Sequence, residues 1–193
     1  MMESAHAHSK LFSHVEYEII SQMKRMRRSE KEWFIVKAEL EEILNIERLK
    51  KIFEDTSCDE PGTINRIKKN WLGVVGVLVY SDWKDWATFK DIFMNEESGF
   101  IDDKTLPFAT IEKIPLDGKV ALDFHRNQWI FAPKQIVEHQ DYRAQPEERL
   151  PFQDSKLINR GGFAKVWKHT IPPGYMLENC PQSTSVNLDV SLP

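Results

Sequence analysis

A glycine-rich stretch near the C-terminal end of the sequence, residues 157–168, is the part of the chain best suited to chemistry. Its sequence is LINRGGFAKVWK. Residues without a Cβ atom let backbone N–H groups approach phosphate oxygens closely. The alternative is an ordinary hairpin turn, which a Gly-Gly pair between two apolar segments also specifies. In both cases the pattern predicts two short strands joined by a glycine-containing turn.

Four positions decide how closely this stretch follows the nucleotide-binding loop of protein kinases, whose pattern is G-x-G-x-x-G-x-V between two antiparallel strands. They are Asn159, Gly161, Ala164 and Val166, so the middle glycine is retained and two glycines are replaced. Asparagine is a tolerable replacement because it enters left-handed conformations more easily than most residues. The methyl group of Ala164 restricts both the backbone and the approach of a ligand. Gly162 adds flexibility at the tip.

The rest of a phosphoryl-transfer site has no counterpart in the 193 residues. Such a site needs a lysine on the third strand, a glutamate that pairs with it, an H-R-D catalytic loop and a D-F-G metal ligand. Lys165 and Lys168 lie on the predicted second strand and cannot replace the third-strand lysine. The chain ends at residues 190–193, about where that strand should begin. We therefore expect no catalytic residues and no phosphoryl transfer from this chain alone.

Residues 150–175 resemble the start of the catalytic domain in a family of filamentous-fungal protein kinase-like proteins. The shared features are a Leu-Pro-Phe entry at residues 150–152, the G-G-F-x-K-V hairpin and a proline-containing insert at residues 171–175. The apolar helical segments upstream are also similar to the region that precedes that domain. The resemblance thus extends over residues 35–193.

The resemblance implies that the parent protein binds ATP with Mg²⁺ and phosphorylates serine or threonine in proteins, although this chain alone should bind no cofactor tightly. It also implies that Ile158 and Val166 contact the adenine, while amides around Gly161 and Gly162 cover the phosphates and Phe163 acts as a lid. Strand packing is an alternative role for the two aliphatic residues, and the roles are compatible. The implied nucleotide-binding positions are Ile158, Asn159, Arg160, Gly161, Gly162, Phe163, Ala164 and Val166.

Metal-binding arrangements are weak in this sequence, and we predict no metal site. Of the six histidines, His6, His8 and His14 could bind a metal only loosely, because the N-terminal lead-in is expected to give them no fixed geometry. His125 and His139 have no cysteine or histidine partner at the spacing of a ligand pair. The acidic pair Asp102 and Asp103 lacks the ligand alternation of an EF-hand loop, so a solvated turn is expected there. Cys58 and Cys180 are far apart, which fits a reducing compartment without a disulfide framework.

Composition points to an intracellular globular protein. Apolar residues make up 41% of the chain, with 6 Trp and 11 Phe, which is enough for a hydrophobic core. The net charge is -4, from 26 basic and 30 acidic residues, so we expect no nucleic-acid partner. The longest apolar run, residues 71–80, is about half of what a bilayer span needs. No secretory signal is visible, and no membrane partner is expected.

The elements before the hairpin are predicted to be mainly helical. Residues 1–9 look like a mobile lead-in, and residues 10–28 carry an apolar stripe at helical spacing. Their basic end, residues 24–28, favours the helix macrodipole more than it suggests a localisation signal or a lipid-binding patch. Ser29 and Glu32 form a capping box that should begin a second helix ending near Asp55. Its apolar stripe comprises Val36, Leu40, Ile43, Leu44, Ile46, Leu49, Ile52 and Phe53.

Residues 63–80 fit either a strand or a buried helix, and we favour the helix because its apolar residues keep a helical spacing. Gly73 and Gly76 weaken that helix by about 1 kcal/mol each, unless a neighbouring helix approaches there. A shorter helix is predicted over residues 83–94. Residues 124–131 are aromatic and fit a short strand or a helical turn, which Pro133 ends.

Four segments follow from these patterns: a lead-in and helix over 1–28, an irregular helical domain over 29–137, a polar linker over 138–149, and the start of a kinase N-lobe over 150–193. The protein is then the N-terminal part of a longer kinase-like protein, as a truncated product or an incomplete gene model. The alternatives are a helical module that binds another protein and keeps a vestigial hairpin, or a pseudokinase remnant without a nucleotide site. A lone hairpin is marginal in water, so residues 150–170 should dock on the helical region or fluctuate.

Overall fold

Seven α-helices and five short strands are found in the part of the chain that the computed structural model describes, which comprises residues 2–26, 33–95, 101–138, 140–162, 164–177 and 186–189. The helices are α1 (Met2–Met26), α2 (Lys37–Ile43), α3 (Ile46–Ile52), α4 (Pro61–Asn70), α5 (Leu72–Tyr80), α6 (Phe89–Phe93) and α7 (Gly118–Phe131). The strands are β1 (Ile136–Val137), β2 (Asp154–Arg160), β3 (Lys165–Thr170), β4 (Met176–Leu177) and β5 (Val186–Asp189). Mainly helical architecture followed by an antiparallel hairpin agrees with the prediction.

Helix α1 begins at Met2, so residues 2–9 continue the predicted helix where the sequence suggested a lead-in. Its buried stripe is Val15, Ile19 and Met23, which recur every fourth residue and face the core. The helix is joined to α3 by Glu18, whose carboxylate accepts two hydrogen bonds from Arg48; the one from Nη2 is 3.0 Å long. The side chains of residues 25 and 26 and all of residues 27 and 28 lie outside the described part of the chain.

The helix predicted from Ser29 to about Asp55 is two short helices, α2 and α3. Ser29 and Glu32 lie outside the described residues, and α2 begins only at Lys37, after extended backbone at Val36. Asn45 separates the two helices because its Oδ1 accepts the backbone N–H of Arg48 at 3.1 Å. Asparagine competes with the helical backbone for hydrogen bonds and is better placed as an N-cap than in a helix interior.

The helix predicted over residues 63–80 is confirmed as helical, but it is divided at Trp71. Pro61 lies at the first position of α4, where its missing N–H removes no hydrogen bond. The Trp71 indole N–H donates to the Phe93 carbonyl at 3.2 Å, which fixes the corner between α4 and α5. All residues from Leu72 to Val79 are buried, so α5 is the central helix and packs against α1, α2, α4 and α7.

Both glycines of α5 have close neighbours, a helix at Gly76, as the sequence predicted, and a loop at Gly73. A Cβ atom at Gly76 would lie 2.7 Å from the ring of Phe131 on α7, far inside van der Waals contact. At Gly73 it would lie 3.0 Å from Oδ1 of Asp103. The absence of both methyl groups lets α7 and the loop containing Asp103 pack directly on the backbone of α5.

Asp103 corrects the expectation of a purely solvated turn at residues 102–103. Its carboxylate is half-buried, and it accepts the backbone N–H of Val74 at 3.0 Å, near the N-terminus of α5. Its own N–H donates to the Asn70 carbonyl at 2.8 Å. Burial raises the pKa of the carboxyl from 3.8 to about 6, against the opposing effect of the Gly73 and Val74 N–H donors. Asp103 therefore caps the central helix from a distant part of the chain.

An aromatic cluster fills the space between α1, α3 and α6. Residues 83–94 form a 3-10 turn (Trp86–Thr88) followed by α6, and Trp86, Phe89 and Phe93 are buried as predicted. Phe12 stacks on Trp86 with ring centroids 5.4 Å apart. Phe53 meets the same indole edge-on, also at 5.4 Å. Offset and edge-to-face contacts of this kind stabilise a core beyond the area they bury.

Residues 124–131, predicted as a short strand or a helical turn, belong to the longer helix α7. Phe124 and Phe131 are buried on the side that faces α5. The buried side chain of Gln128 accepts the Phe108 N–H at 2.6 Å and donates to the Phe108 carbonyl at 3.1 Å. Pro133 follows the helix end, as expected.

The segment predicted as a linker, residues 138–149, has no helix or strand in its described part, but side chains hold it in place. Glu148 accepts hydrogen bonds from the Gln145 backbone, at 2.9 Å, and from the Tyr142 hydroxyl. The backbone N–H of Lys134 donates to the Arg149 carbonyl at 2.8 Å. The proposed division into domains stays a prediction.

Candidate nucleotide-binding hairpin

Strands β2 and β3 pair antiparallel, so the glycine-rich stretch forms the hairpin that its pattern predicts. The turn is closed by a hydrogen bond from the Gly161 N–H to the Ala164 carbonyl, 2.8 Å long. Phe163, the predicted lid, lies outside the described residues, and its role stays a prediction. The tip at Gly161 and Gly162 is exposed.

A β-bulge in the ladder places two of the predicted contact residues side by side. Leu157 pairs with Trp167 and Asn159 pairs with Val166, so Ile158 is the extra residue on β2. Ile158 and Asn159 together oppose Val166, the arrangement that defines a bulge. Ile158 is 52% exposed, which is unusual for a large aliphatic residue in a strand. The structure thus brings Ile158 next to Val166 and leaves apolar surface available to a ligand.

The backbone of the loop does not require glycine. Asn159, Gly161 and Gly162 all lack positive φ angles, so the tolerance of asparagine for left-handed conformations is not used at Asn159, and the turn is not a primed Gly-Gly turn. A Cβ atom would meet nothing within 4 Å at Gly162, and at Gly161 it would be in ordinary contact, 3.6 Å from the Ala164 carbonyl. Neither backbone conformation nor packing within the described residues requires glycine here.

Positive charge collects on the exposed surface of the hairpin, a feature that the sequence prediction missed. Lys156 lies opposite Lys168, and Arg160 lies opposite Lys165, so two cross-strand pairs carry like charges. All four side chains are exposed, and none forms an ion pair with a described residue. Like charges directly opposite each other destabilise a sheet, and a polyanion bound nearby would neutralise them. Because Lys165 and Lys168 are three residues apart on one strand, the two basic pairs lie on opposite faces of the hairpin. The four basic residues within positions 156–168 were the signal available in the sequence.

The base of the hairpin is held by a buried histidine. His169 stacks on Phe152 with ring centroids 3.8 Å apart, and its Nδ1 lies 2.8 Å from the Ser155 hydroxyl oxygen. Burial lowers the pKa of the His169 imidazole below 6.5, which favours the neutral ring. Pro151 and Ile171 are buried beside it. The hairpin is therefore anchored at its base and open at its tip.

The return of the chain after β3 docks the hairpin on the helical region. β1 and β4 pair in parallel, and the Ile136 N–H donates to the Tyr175 carbonyl at 2.8 Å. The backbone of Lys37, at the start of α2, hydrogen-bonds the Tyr175 side chain, and burial raises the pKa of that phenol. Gly174 has φ of 84°, which allows the sharp turn before β4. These contacts are made by residues 136–137 and 175–177, outside residues 150–170, so the choice between docking and fluctuation of the hairpin itself stays a prediction.

Strand β5 is a third strand of the hairpin sheet, which was not predicted from the sequence. β5 pairs antiparallel with β3, with Leu188 opposite Trp167 and Asp189 opposite Val166. The sheet order is β2-β3-β5. β5 has the sequence VNLD and contains no lysine, so the cation that phosphoryl transfer requires is absent from the strand beside β3.

The remaining candidate ligands are scattered. Within the described residues, no three His, Cys, Asp or Glu side chains lie close enough together to hold a metal ion. Cys58 is buried, and burial raises the pKa of its thiol, which makes it unreactive. His139 and Cys180, like the side chains of His6 and His8, lie outside the described part. No described helix has the length and apolar character to cross a membrane.

No family model, curated protein or solved structure matches this chain.

Proposed function

We propose that the hairpin of β2 and β3 is the glycine-rich loop of an ATP-binding lobe, in the N-terminal part of a protein kinase-like protein. The observation that carries this proposal is the pair of glycines at the tip. Gly161 and Gly162 have no positive φ angle, and among the residues that the structure describes neither has a neighbour that a methyl group would displace. Glycine at such a position is explained by a ligand that lies against the backbone.

The nucleotide would contact the hairpin along its length. Ile158 and Val166 offer adjacent apolar surface to the adenine. The Gly161 N–H already donates to the Ala164 carbonyl, whereas the Gly162 N–H is a donor that a phosphate can use. The polyphosphate would be attracted over a longer range by four exposed basic side chains, those of Lys156, Arg160, Lys165 and Lys168.

In this proposal the hairpin residues bind the nucleotide and take no part in catalysis. The third-strand lysine, its glutamate partner, the H-R-D loop and the D-F-G motif have no counterpart in the 193 residues. These groups would hold Mg²⁺, orient the attacking hydroxyl and neutralise the transferred phosphoryl group. The helical region would act as the platform on which the hairpin docks, through the β1–β4 pair and the Tyr175–Lys37 contact.

Saturation-transfer NMR with Mg-ATP tests this function through a matched pair of valine substitutions. Gly162→Val adds bulk at the tip, where nothing lies within 4 Å, so the fold should tolerate it while nucleotide contact is lost. Gly62→Val makes the same change in open space on α4, far from the hairpin, and should leave binding unchanged. Equal nucleotide signals from Gly162→Val and the parent chain would refute the proposed contact.

A further inference from the structure

A cleft on the outer side of α7 is formed by that helix and by the irregular segment that contains residues 146–149. Its volume is about 560 Å³, which is sufficient for a small organic molecule. The residues used below are Leu122, His125, Arg126 and Trp129 of α7, and Pro146 and Arg149 of the facing segment. The four helical residues are spaced i, i+3, i+4 and i+7, so they form one face of α7.

Three residues that line this cleft carry buried nitrogen atoms without a hydrogen-bond partner. They are Nε2 of His125, Nε1 of Trp129 and Nε of Arg149. In the described part of the chain only one other buried side-chain nitrogen or oxygen is unpaired, Nε1 of Trp86 in the aromatic core. Buried polar groups in native proteins almost always have a partner. The nitrogen atoms of Trp129 and Arg149 are always N–H donors, so their presence at one cleft indicates a missing acceptor.

The charge of the cleft specifies what kind of acceptor is missing. Burial lowers the pKa of Arg149, because its guanidinium is partly removed from water without a paired carboxylate. Its Nη1 donates to the backbone carbonyl of Glu147 at 3.0 Å, and the Glu147 carboxylate is its only nearby counter-charge among the described residues. Arg126 adds a second cation at the rim, with Asp123 at 3.8 Å. A ligand oxyanion would satisfy Arg149 and the neighbouring N–H donors together.

Apolar surface in the same cleft requires that the oxyanion be attached to a hydrophobic body. Leu122 is 47% exposed, and the Trp129 ring and Pro146 line the cleft beside it. Residues 146–149 form one wall and belong to neither a helix nor a strand, and an incoming molecule would have to shift this wall against the contacts that Glu148 makes with Gln145 and Tyr142. Such an adjustment is needed for the ligand to reach nitrogen atoms that are buried without it.

We propose that this cleft binds a small amphiphilic anion, in which a carboxylate or phosphate group is held by Arg149, Trp129 and His125 and an apolar group packs on Leu122 and Trp129. The site is separate from the glycine-rich hairpin and does not depend on a nucleotide.

Protein-observed NMR of the tryptophan indole N–H signals tests this site. The probes are benzoate and phenyl phosphate as the two oxyanion arms, inorganic phosphate for the anion alone, and benzyl alcohol for the apolar body alone. The Trp129 indole signal is identified as the one that disappears in the Trp129→Phe variant. We expect benzoate or phenyl phosphate to shift this signal, and the probe that binds more tightly shows whether the site prefers a carboxylate or a phosphate. The buried and unpaired Trp86 indole is an internal control and should not move.

Two variants separate binding from folding. Arg149→Gln should weaken the preferred probe by about tenfold or more, because a charge-assisted hydrogen bond is lost. Trp129→Phe removes an unpaired donor, so its melting temperature should equal or exceed that of the parent chain while its affinity falls. Arg143→Gln, on the exposed part of the same segment, is the matched control and should bind normally.

The proposal is overturned if neither anionic probe shifts the Trp129 indole signal, if benzyl alcohol shifts it as strongly as the anions do, or if Trp86 shifts equally. Unchanged affinity in folded Arg149→Gln would also overturn it.

Discussion

Replacement of Asp103 by asparagine should stabilise the protein at neutral pH, because it removes a half-buried charge and keeps a hydrogen-bond acceptor. The carboxylate accepts the Val74 N–H at 3.0 Å near the start of α5, the central helix of the core. An asparagine Oδ1 of the same geometry can accept this hydrogen bond, and asparagine is as good an N-cap as aspartate. The change therefore isolates the effect of the charge.

The magnitude follows from the raised pKa of Asp103. Burial raises it from 3.8 to about 6, and each pKa unit corresponds to about 1.4 kcal/mol, so the ionised carboxylate destabilises the folded state by up to about 3 kcal/mol. The folded state takes up a proton more readily than the unfolded state does. This destabilisation is therefore complete above the folded pKa, and it is relieved as the pH falls from about 6 to about 4.

Urea unfolding of Asp103→Asn and the parent chain at a series of pH values measures this effect. We expect a gain for the variant at about pH 7, of between 1 and about 3 kcal/mol, that disappears near pH 4. Asp103→Ala leaves the Val74 N–H without an acceptor and should gain less or lose stability. Asp102→Asn, in the same turn, is the control and should show no such pH dependence. Equal stability of parent and Asp103→Asn at every pH would refute the argument.

Gly76→Ala should lower the free energy of unfolding by about 1–3 kcal/mol despite the helix propensity of alanine, because its methyl group would lie 2.7 Å from the Phe131 ring. Gly62→Ala, in open space on α4, should instead be neutral or stabilising by up to about 1 kcal/mol in the same urea experiment; a Gly76→Ala protein as stable as the parent would contradict the packing of α5 on α7. The buried His169 has a lowered pKa, so the unfolded state is protonated first and the hairpin base should lose stability as the pH falls below 6.5. Amide hydrogen exchange in β3 measures this loss, which His169→Phe should abolish; equal pH dependence in both proteins would show that another group is responsible.

The helical content of this chain was predictable because apolar spacing records which side of each helix is buried. Where the helices break was not predictable, because the causes are tertiary or side-chain specific. The division after α4 depends on the hydrogen bond from Trp71 to Phe93, which is distant in sequence. The division after α2 depends on Asn45, whose capping role competes with an unbroken apolar stripe. Helix α7 was mistaken for a shorter element because only its aromatic half was considered.

The hairpin that carries the candidate site was also predictable, but its backbone geometry was not. The sequence identifies a glycine-containing hairpin, and the structure places Ile158 next to Val166 through a bulge that no pattern reveals. Asn159 does not use a left-handed conformation, since β2 extends through that residue. Strand β5 was missed because its partner β3 is separated from it by a proline-containing return. The cleft on α7 requires the fold, because Arg149 reaches it from a segment without regular structure.

The most direct test of the nucleotide-binding hairpin is residue-resolved NMR of the chain with Mg-ATP and, in parallel, with MgCl2 alone. We expect Mg-ATP to shift only the amide signals of residues 158–166, and we expect MgCl2 alone to leave them unchanged. The dissociation constant should be larger than about 100 µM, because on this proposal only one side of the site is present. No shift of the hairpin signals at about 10 mM Mg-ATP would contradict the nucleotide contact. That concentration is about 100 times the limit of about 100 µM, which corresponds to binding that is about 2.7 kcal/mol weaker. Binding tighter than about 100 µM would contradict the view that these residues form only part of the site.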